Sequence, residues 1–264
     1  MAIIYILIFI LGLVIGSFLN VVIFRLKKHE SIFKKRSHCL FCKKQLSWYE
    51  LIPLFSFIVL LGKCKKCKKH ISWQYPLVEF FTGLIFVLIF HFLFSFFNDF
   101  IDFRFYISLA FWFIISSFLI IVFVYDLKHY LVADIIIYPA IIITFLYRIF
   151  QAFEFKDFDL LNYLGAALIA GGFFLAIILI SKGKWMGLGD VKIGFLMGLV
   201  LGLPLIFVAL FLAFLIGAVI SVILLILKKK KLKSEIPFGP FLVLATMISL
   251  FFGEFLINWY LGLM

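Results

Sequence analysis

The sequence predicts an all-α polytopic membrane protein, with about eight transmembrane helices and a cysteine-bearing cytoplasmic insert after the first. Three observations predict it. Of 264 residues, 66% are hydrophobic and only 14% charged, and mean hydropathy is +1.23; a soluble domain averages about 45–50% and 25%. Apolar runs long enough to cross a bilayer core of about 30 Å recur along the chain. The Lys and Arg residues gather in alternate loops, as membrane insertion requires.

The first run, 2–24, opens with MAIIYILIFILGLVIG. No basic residue precedes it, and Arg25, Lys27 and Lys28 follow it. It therefore reads as a retained first helix with its N-terminus outside, not as a cleavable signal. Further runs fall at 77–97, 105–125, 131–150, 161–181, 189–203, 205–227 and 239–261. The run 189–203 is short, and only the Gly202-Leu203-Pro204 break divides it from the next. No low-complexity segment is present, and no repeat is visible beyond the alternation of helices and loops.

Charge orients these runs. The chain has 25 Lys and Arg against 13 Asp and Glu. With the N-terminus outside, all but Arg104, Arg148 and Lys156 of the basic residues fall in cytoplasmic segments, including Lys34, Lys35 and the cluster Lys228–Lys231 with Lys233. The outer loops carry Asp99, Asp102, Glu154, Asp157 and Asp159 instead. In a membrane protein such a bias sets topology and attracts anionic lipid headgroups. It does not point to nucleic acid, because no basic stretch carries an aromatic stacking pattern.

All four cysteines lie in the first cytoplasmic segment, as Cys39-x-x-Cys42 and Cys64-x-x-Cys67. Each pair can present two thiolates from one tight turn, and two such turns complete a tetrahedral zinc shell. Flanking lysines favour the thiolate, and a reducing cytosol opposes disulfides. Four sulfurs leave no position for water, so the site reads as structural, with His38 and His70 as neighbours and not ligands. Between the pairs, LIPLFSFIVLLG (51–62) is too short to span and reads as a re-entrant or interfacial piece.

Acids near the membrane are the candidates for chemistry, since an ionisable group within a span is costly. Asp126, in VYDLKHY, ends the third run; Asp190, in MGLGDVKIG, opens the sixth. The predicted topology puts both at the cytoplasmic face at similar depth. Two carboxylates held together there would share a proton and could activate a water against a peptide carbonyl. That is aspartyl protease chemistry, needing neither a metal nor a nucleophilic side chain. Gly187 and Gly189 would permit positive φ and close approach of a substrate backbone, whereas the plainer reading makes Asp190 only a helix cap. Gly194, Gly198 and Gly202 form a stripe for close helix packing. On a continuous helix Asp134 would share a face with Asp126, as a supporting partner, a substrate contact or an interfacial cap.

Taken in order, these motifs resemble the type IV prepilin peptidases. GSFLNVVIFRL (16–26) is similar to that family's first-helix signature, the CxxC pairs to its zinc-binding insert, and YPLVE (75–79) to its entry into the second helix. Asp126 with Asp134 and Pro139 fits its first aspartate motif, MGLGDVK (186–192) its GxGD motif, and IPFGPFL (236–242) its last-helix entry. Ala133 departs from the family, which usually has Pro there. The resemblance implies a bacterial cytoplasmic-membrane enzyme with Asp126 and Asp190 as catalytic pair and Cys39, Cys42, Cys64 and Cys67 as zinc ligands. It implies prepilin or pseudopilin substrates, cut after the Gly that ends a short basic leader. It also implies methylation of the new N-terminus with S-adenosylmethionine, for which Glu50, Gly62, Lys63 and Glu79 are the candidates near the insert.

The expected organisation is residues 1–76 as first helix, insert and methyltransferase region, and 77–264 as membrane-embedded peptidase domain. Two other classes share parts of the pattern. A metal transporter would carry acids or histidines at mid-depth on several helices. An inactive assembly scaffold would be free to lose either motif aspartate, and both are present.

Overall fold

A computed structural model describes residues 2–28, 31, 36–97, 102–154, 158–228 and 235–262. Lys34, Lys35, Asp99, Lys156, Asp157 and the loop lysines Lys229, Lys230, Lys231 and Lys233 lie outside the described residues. Among those described, the order is α1 (Ala2–Lys28), a 3-10 turn (Trp48–Leu51), α2 (Phe55–Val59), α3 (Gln74–Phe97), α4 (Phe103–His129), α5 (Asp134–Glu154), α6 (Leu160–Ser181), α7 (Leu188–Leu201), α8 (Leu205–Ile226) and α9 (Gly239–Leu261). Seven of the eight apolar runs form helices long and apolar enough to cross a membrane. The run 189–203 instead forms α7, which has 14 residues and is therefore about 21 Å long. The chain divides into two compact units, Met1–Ile121 and Val122–Met264.

In the first unit α1 packs along α3, and glycines set the spacing. A Cβ on Gly12 would strike the Gly83 backbone, and one on Gly16 the Glu79 backbone, so the two helices meet main chain to main chain. Beside this seam Ile8, Phe86, Phe90 and Phe105 form a buried cluster, with Phe86 stacked on Phe113 at 4.0 Å between ring centroids.

In the second unit α7 is the most enclosed helix: Ile193, Gly194 and every residue from Leu196 to Leu201 are buried. Its glycine stripe explains the fit. A Cβ on Gly198 would overlap the backbone of Ala166 and Ala167, and one on Gly194 the Phe174 ring, so α6 lies directly against it. The far end of α7 is closed by side chains of other helices. Arg148, 3% exposed on α5, donates to the carbonyls of Leu199 at 2.9 Å and Val200 at 2.6 Å, and its guanidinium sits 3.9 Å from the Tyr163 ring centroid. Asn162 of α6 accepts the Leu203 N–H at 2.6 Å and donates to the Leu203 carbonyl at 3.2 Å. Gly202, with φ +69 and ψ −174, takes a turn essentially closed to other residues. These partners satisfy carbonyls that would otherwise continue the helix, which is why α7 ends short.

Candidate active site and cysteine module

Four helix ends converge at the other end of the second unit. Asp126 lies in the last turn of α4, which stops at His129 because Tyr130 adopts φ +57 and its N–H closes on the Asp126 carbonyl at 2.8 Å. α4 and α5 are thus separate helices, and Asp126 and Asp134 do not share one continuous face. Asp126 is 5% exposed, and its carboxylate lies against Gly239, the first residue of α9. Asp190 sits in the first turn of α7, close enough to Asp126 to interact with its charge. It turns back toward the Gly187 N–H at 3.4 Å. Asp190 thus opens α7, while Asp126 closes α4 with the start of α9 brought against it.

Neither Gly187 nor Gly189 takes positive φ; what matters at Gly189 is space. A Cβ there would meet the Val132 side chain, which sits in the turn between α4 and α5, so Gly189 lets the start of α7 close onto that turn. Asp134 is not part of the buried pair. Its side chain is 62% exposed and forms a 2.5 Å ion pair with Lys192 of α7, whose ammonium also lies 4.9 Å from the Tyr138 ring centroid. Gly239 joins this group from more than a hundred residues along the chain from Asp126. Its signal was the Gly-Pro within IPFGPFL.

The four cysteines of the first unit come together. Their sulfurs all lie within 4.8 Å of one another, with Cys39 Sγ 3.9 Å from Cys67 Sγ and Cys42 Sγ 4.0 Å from Cys64 Sγ. A tetrahedral zinc with bonds of about 2.3 Å needs sulfurs about 3.8 Å apart, so the donor set and its spacing fit that ion. The backbone N–H groups of Cys67 and Lys66 draw the Cys64 thiol down to about 6, toward the thiolate that binds metal.

The two knuckles are copies of one hairpin. His38 bridges Gln45, and Lys63 bridges His70. The Cys39 N–H bonds to the Lys44 carbonyl as the Cys64 N–H bonds to that of Lys69, each at 2.9 Å. Lys43 and Lys68 both take positive φ. Leu46 returns to Ser37 as Ile71 returns to Gly62. This is an internal repeat, and its trace in the sequence is the pair C-L-F-C-K-K and C-K-K-C-K-K.

Beside the knuckles lies a cavity of about 740 Å³, lined among others by Asn20 and Arg25 of α1, Tyr75 and Glu79 of α3, and Glu50. That volume suits a small organic ligand. Glu50 is buried, accepts the Ser47 N–H at 2.8 Å and pairs with Lys44 at 3.2 Å; the Ser47 bond, with Lys44 adding to it against burial, holds its carboxyl below the usual range. Glu79 is buried and accepts the Leu54 N–H at 2.9 Å. Gly62 and Lys63 belong to the knuckle hairpin: Gly62 has φ +66 with the Phe57 ring against it, and the Lys63 side chain is exposed.

A polytopic helical bundle with two acids at converging helix ends and a cysteine module after the first helix defines a class, and comparison with known proteins agrees. Residues 10–93 match the bacterial peptidase A24 N-terminal domain and residues 113–222 the type IV leader peptidase family. The chain belongs to the type IV leader peptidase family. It is similar to a prepilin leader peptidase/N-methyltransferase of Legionella pneumophila, 31% identical over 98% of this chain and 94% of the relative. A protein of the same name from Bacillus subtilis (strain 168) is 32% identical over 96% of each chain. One from Myxococcus xanthus is 53% identical over 30% of this chain. No solved structure matches.

Proposed function

We propose that the chain is an intramembrane aspartyl endopeptidase of the bacterial cytoplasmic membrane. It removes the short basic leader, after Gly, from prepilins or related pseudopilins, and it methylates the new N-terminus. Family membership supports the reaction and the substrate class. The observation that carries the chemistry is that the end of α4 bearing Asp126 and the first turns of α7, which Asp190 opens, both meet Gly239 at the start of α9. One carboxylate takes a proton from water as the oxygen attacks the scissile carbonyl, while the other carboxyl donates its proton to the carbonyl oxygen. Collapse of the tetrahedral species then breaks the C–N bond: the leaving amine takes the proton held by the first acid, and a hydroxyl returns its proton to the second as the new carboxyl forms. The work is done at the cytoplasmic face, where the basic loops lie.

Leader and enzyme loops are both basic, so recognition rests on the substrate's apolar helix and on shared attraction to anionic headgroups. Cleavage belongs to residues 77–264, although Glu79 at the start of α3 faces the cavity of the first unit. Residues 1–76 carry the methyl-transfer region and its structural zinc on Cys39, Cys42, Cys64 and Cys67, a closed shell that leaves no place for water.

The cavity of about 740 Å³ favours the second activity. S-adenosylmethionine supplies a methyl group bound to a cationic sulfur, and two buried carboxylates suit such a ligand. Glu50 is fixed by Ser47 and Lys44. Glu79, fixed by the Leu54 N–H, orients the substrate's ammonium and takes its proton.

The test is cleavage of a model prepilin by membranes containing wild type, Asp126→Asn, Asp190→Asn or Asp134→Asn. Loss of general acid–base function predicts a fall of at least about 10³-fold for the first two, with normal insertion, and cleavage retained in Asp134→Asn. Activity that survives Asp126→Asn but not Asp134→Asn would mean the wrong carboxylate has been paired. A wild type that cuts no leader-bearing substrate would refute the peptidase reading altogether.

A further inference from the structure

The segment IPFGPFL (236–242) stands out in the sequence, yet the carboxylate chemistry alone gives it no part. In the structure it delivers the first turn of α9 directly onto the buried acid. The Gly239 main chain lies against the Asp126 carboxylate, and the position has no room for a side chain. A Cβ there would come within 2.5 Å of Asp126 Oδ2 and 3.0 Å of Ile193 Cδ1. The glycine is not needed for its conformation, since its φ is not positive; alanine could adopt the same backbone. What it supplies is an unobstructed approach of main chain to carboxylate.

The surroundings hold that approach fixed. Pro240 stiffens the start of α9. Phe238 packs among Phe174, Phe214 and Phe241, with ring centroids 5.0–6.1 Å apart, and Gly239, Pro240, Phe241 and Leu242 are all buried. The other side of the contact is α7, through Ile193, three residues beyond Asp190. α9 thus touches the residue that carries one acid and the helix that carries the other.

We infer that Gly239 is a positioning residue of the cleavage reaction: it lets the start of α9 bind and orient the Asp126 carboxylate toward Asp190. This rests on the proposed aspartyl mechanism, and the two are tested separately. Gly239→Ala is expected to lower kcat for prepilin cleavage by at least about 100-fold with KM little changed, because a displaced carboxylate impairs the chemical step and not helix binding. The pH profile of kcat should move as well, since its limbs report the acids of the pair.

Adding Ile193→Val removes the Cδ1 atom and relieves only the apolar half of the crowding. Activity should stay low, and recovery would show that Gly239 serves packing alone, overturning the proposal. Gly172→Ala, where a Cβ meets open space, should cleave as wild type does. Thermal unfolding closes the argument without relying on activity. If Gly239→Ala lowers Tm, the same change in an Asp126→Ala background must lower it clearly less, because the carboxylate it strikes is gone. An equal loss in both backgrounds, or an unchanged kcat in Gly239→Ala, overturns the assignment. A wild type without cleavage activity, combined with a clear coupling in Tm, would refute the mechanism and leave the contact standing.

Discussion

Glu50 shows how one side chain links local geometry to acidity. It closes the turn Trp48–Leu51 onto Ser47 and holds Lys44 with both oxygens. The Ser47 N–H first, and Lys44 after it, keep its carboxyl below the ordinary value of 4.5. The sign follows from linkage: a lowered carboxyl stabilises the fold above its ordinary value and loses that contribution as pH falls through its lowered value. The same bond raises Lys44 above 10.5, so the lysine's contribution is present below 10.5 and fades as pH rises through the raised value. Glu50→Gln should therefore destabilise the insert between those limits and leave it nearly unchanged at lower pH. Trp48 fluorescence during pH titration of both proteins checks this, and curves that differ equally at pH 3 and pH 7 would contradict it.

At the scale of the element, α7 decides what the second unit can do. It carries Asp190 at one end and meets Arg148 and Asn162 at the other, with Gly194 and Gly198 pressed against α6 between them. Gly198→Val drives a branched side chain into the Ala167 backbone and should cost about 1–3 kcal/mol or more. Arg148→Met keeps bulk but strands the Leu199 and Val200 carbonyls, for about 1–3 kcal/mol. Thermal or denaturant unfolding in detergent measures both, with Gly172→Ala as the neutral comparison, within about 0.5 kcal/mol.

The helix also marks the limit of what the sequence makes legible. Apolar length shows that helices exist and roughly where, so α1, α3–α6, α8 and α9 follow from hydropathy. The Gly202-Leu203-Pro204 break marks where α7 ends, but not that Arg148 and Asn162 of other helices hold that end. Asp126 and Asp190 were legible as acids at the ends of apolar runs. The Gly239 contact and the ion pair of Asp134 with Lys192 were not, since each joins segments far apart in the chain. The knuckle repeat was overlooked for a different reason: the shared features are backbone turns, and only the cysteines and lysines mark them in the residues.

At the scale of the whole molecule the chain combines two units with different kinds of stability. The second is held by close-packed helices. The first adds a module whose four thiols converge, and ligand shells of this kind contribute folding energy outright. Chelation should therefore expose four thiols to a thiol reagent and loosen the insert, with one zinc released per chain by elemental analysis. It should leave the rate of leader cleavage within a few-fold, because the proposed aspartyl chemistry calls on no metal. Loss of cleavage in step with zinc would show that the module supports the peptidase as well.

With Cys39 and Cys67 sulfurs 3.9 Å apart, a zinc held by both would close the chain between them into a ring. The ring joins the start of α3 through residues 68–73 alone. Six residues reach at most about 20–22 Å when fully drawn out, and the return of Ile71 to Gly62 at 2.7 Å shortens that leash further. However the bilayer flexes, the ring stays within a short radius of the helix that bears Glu79. The cavity beside Glu79 thus keeps a wall that cannot drift away.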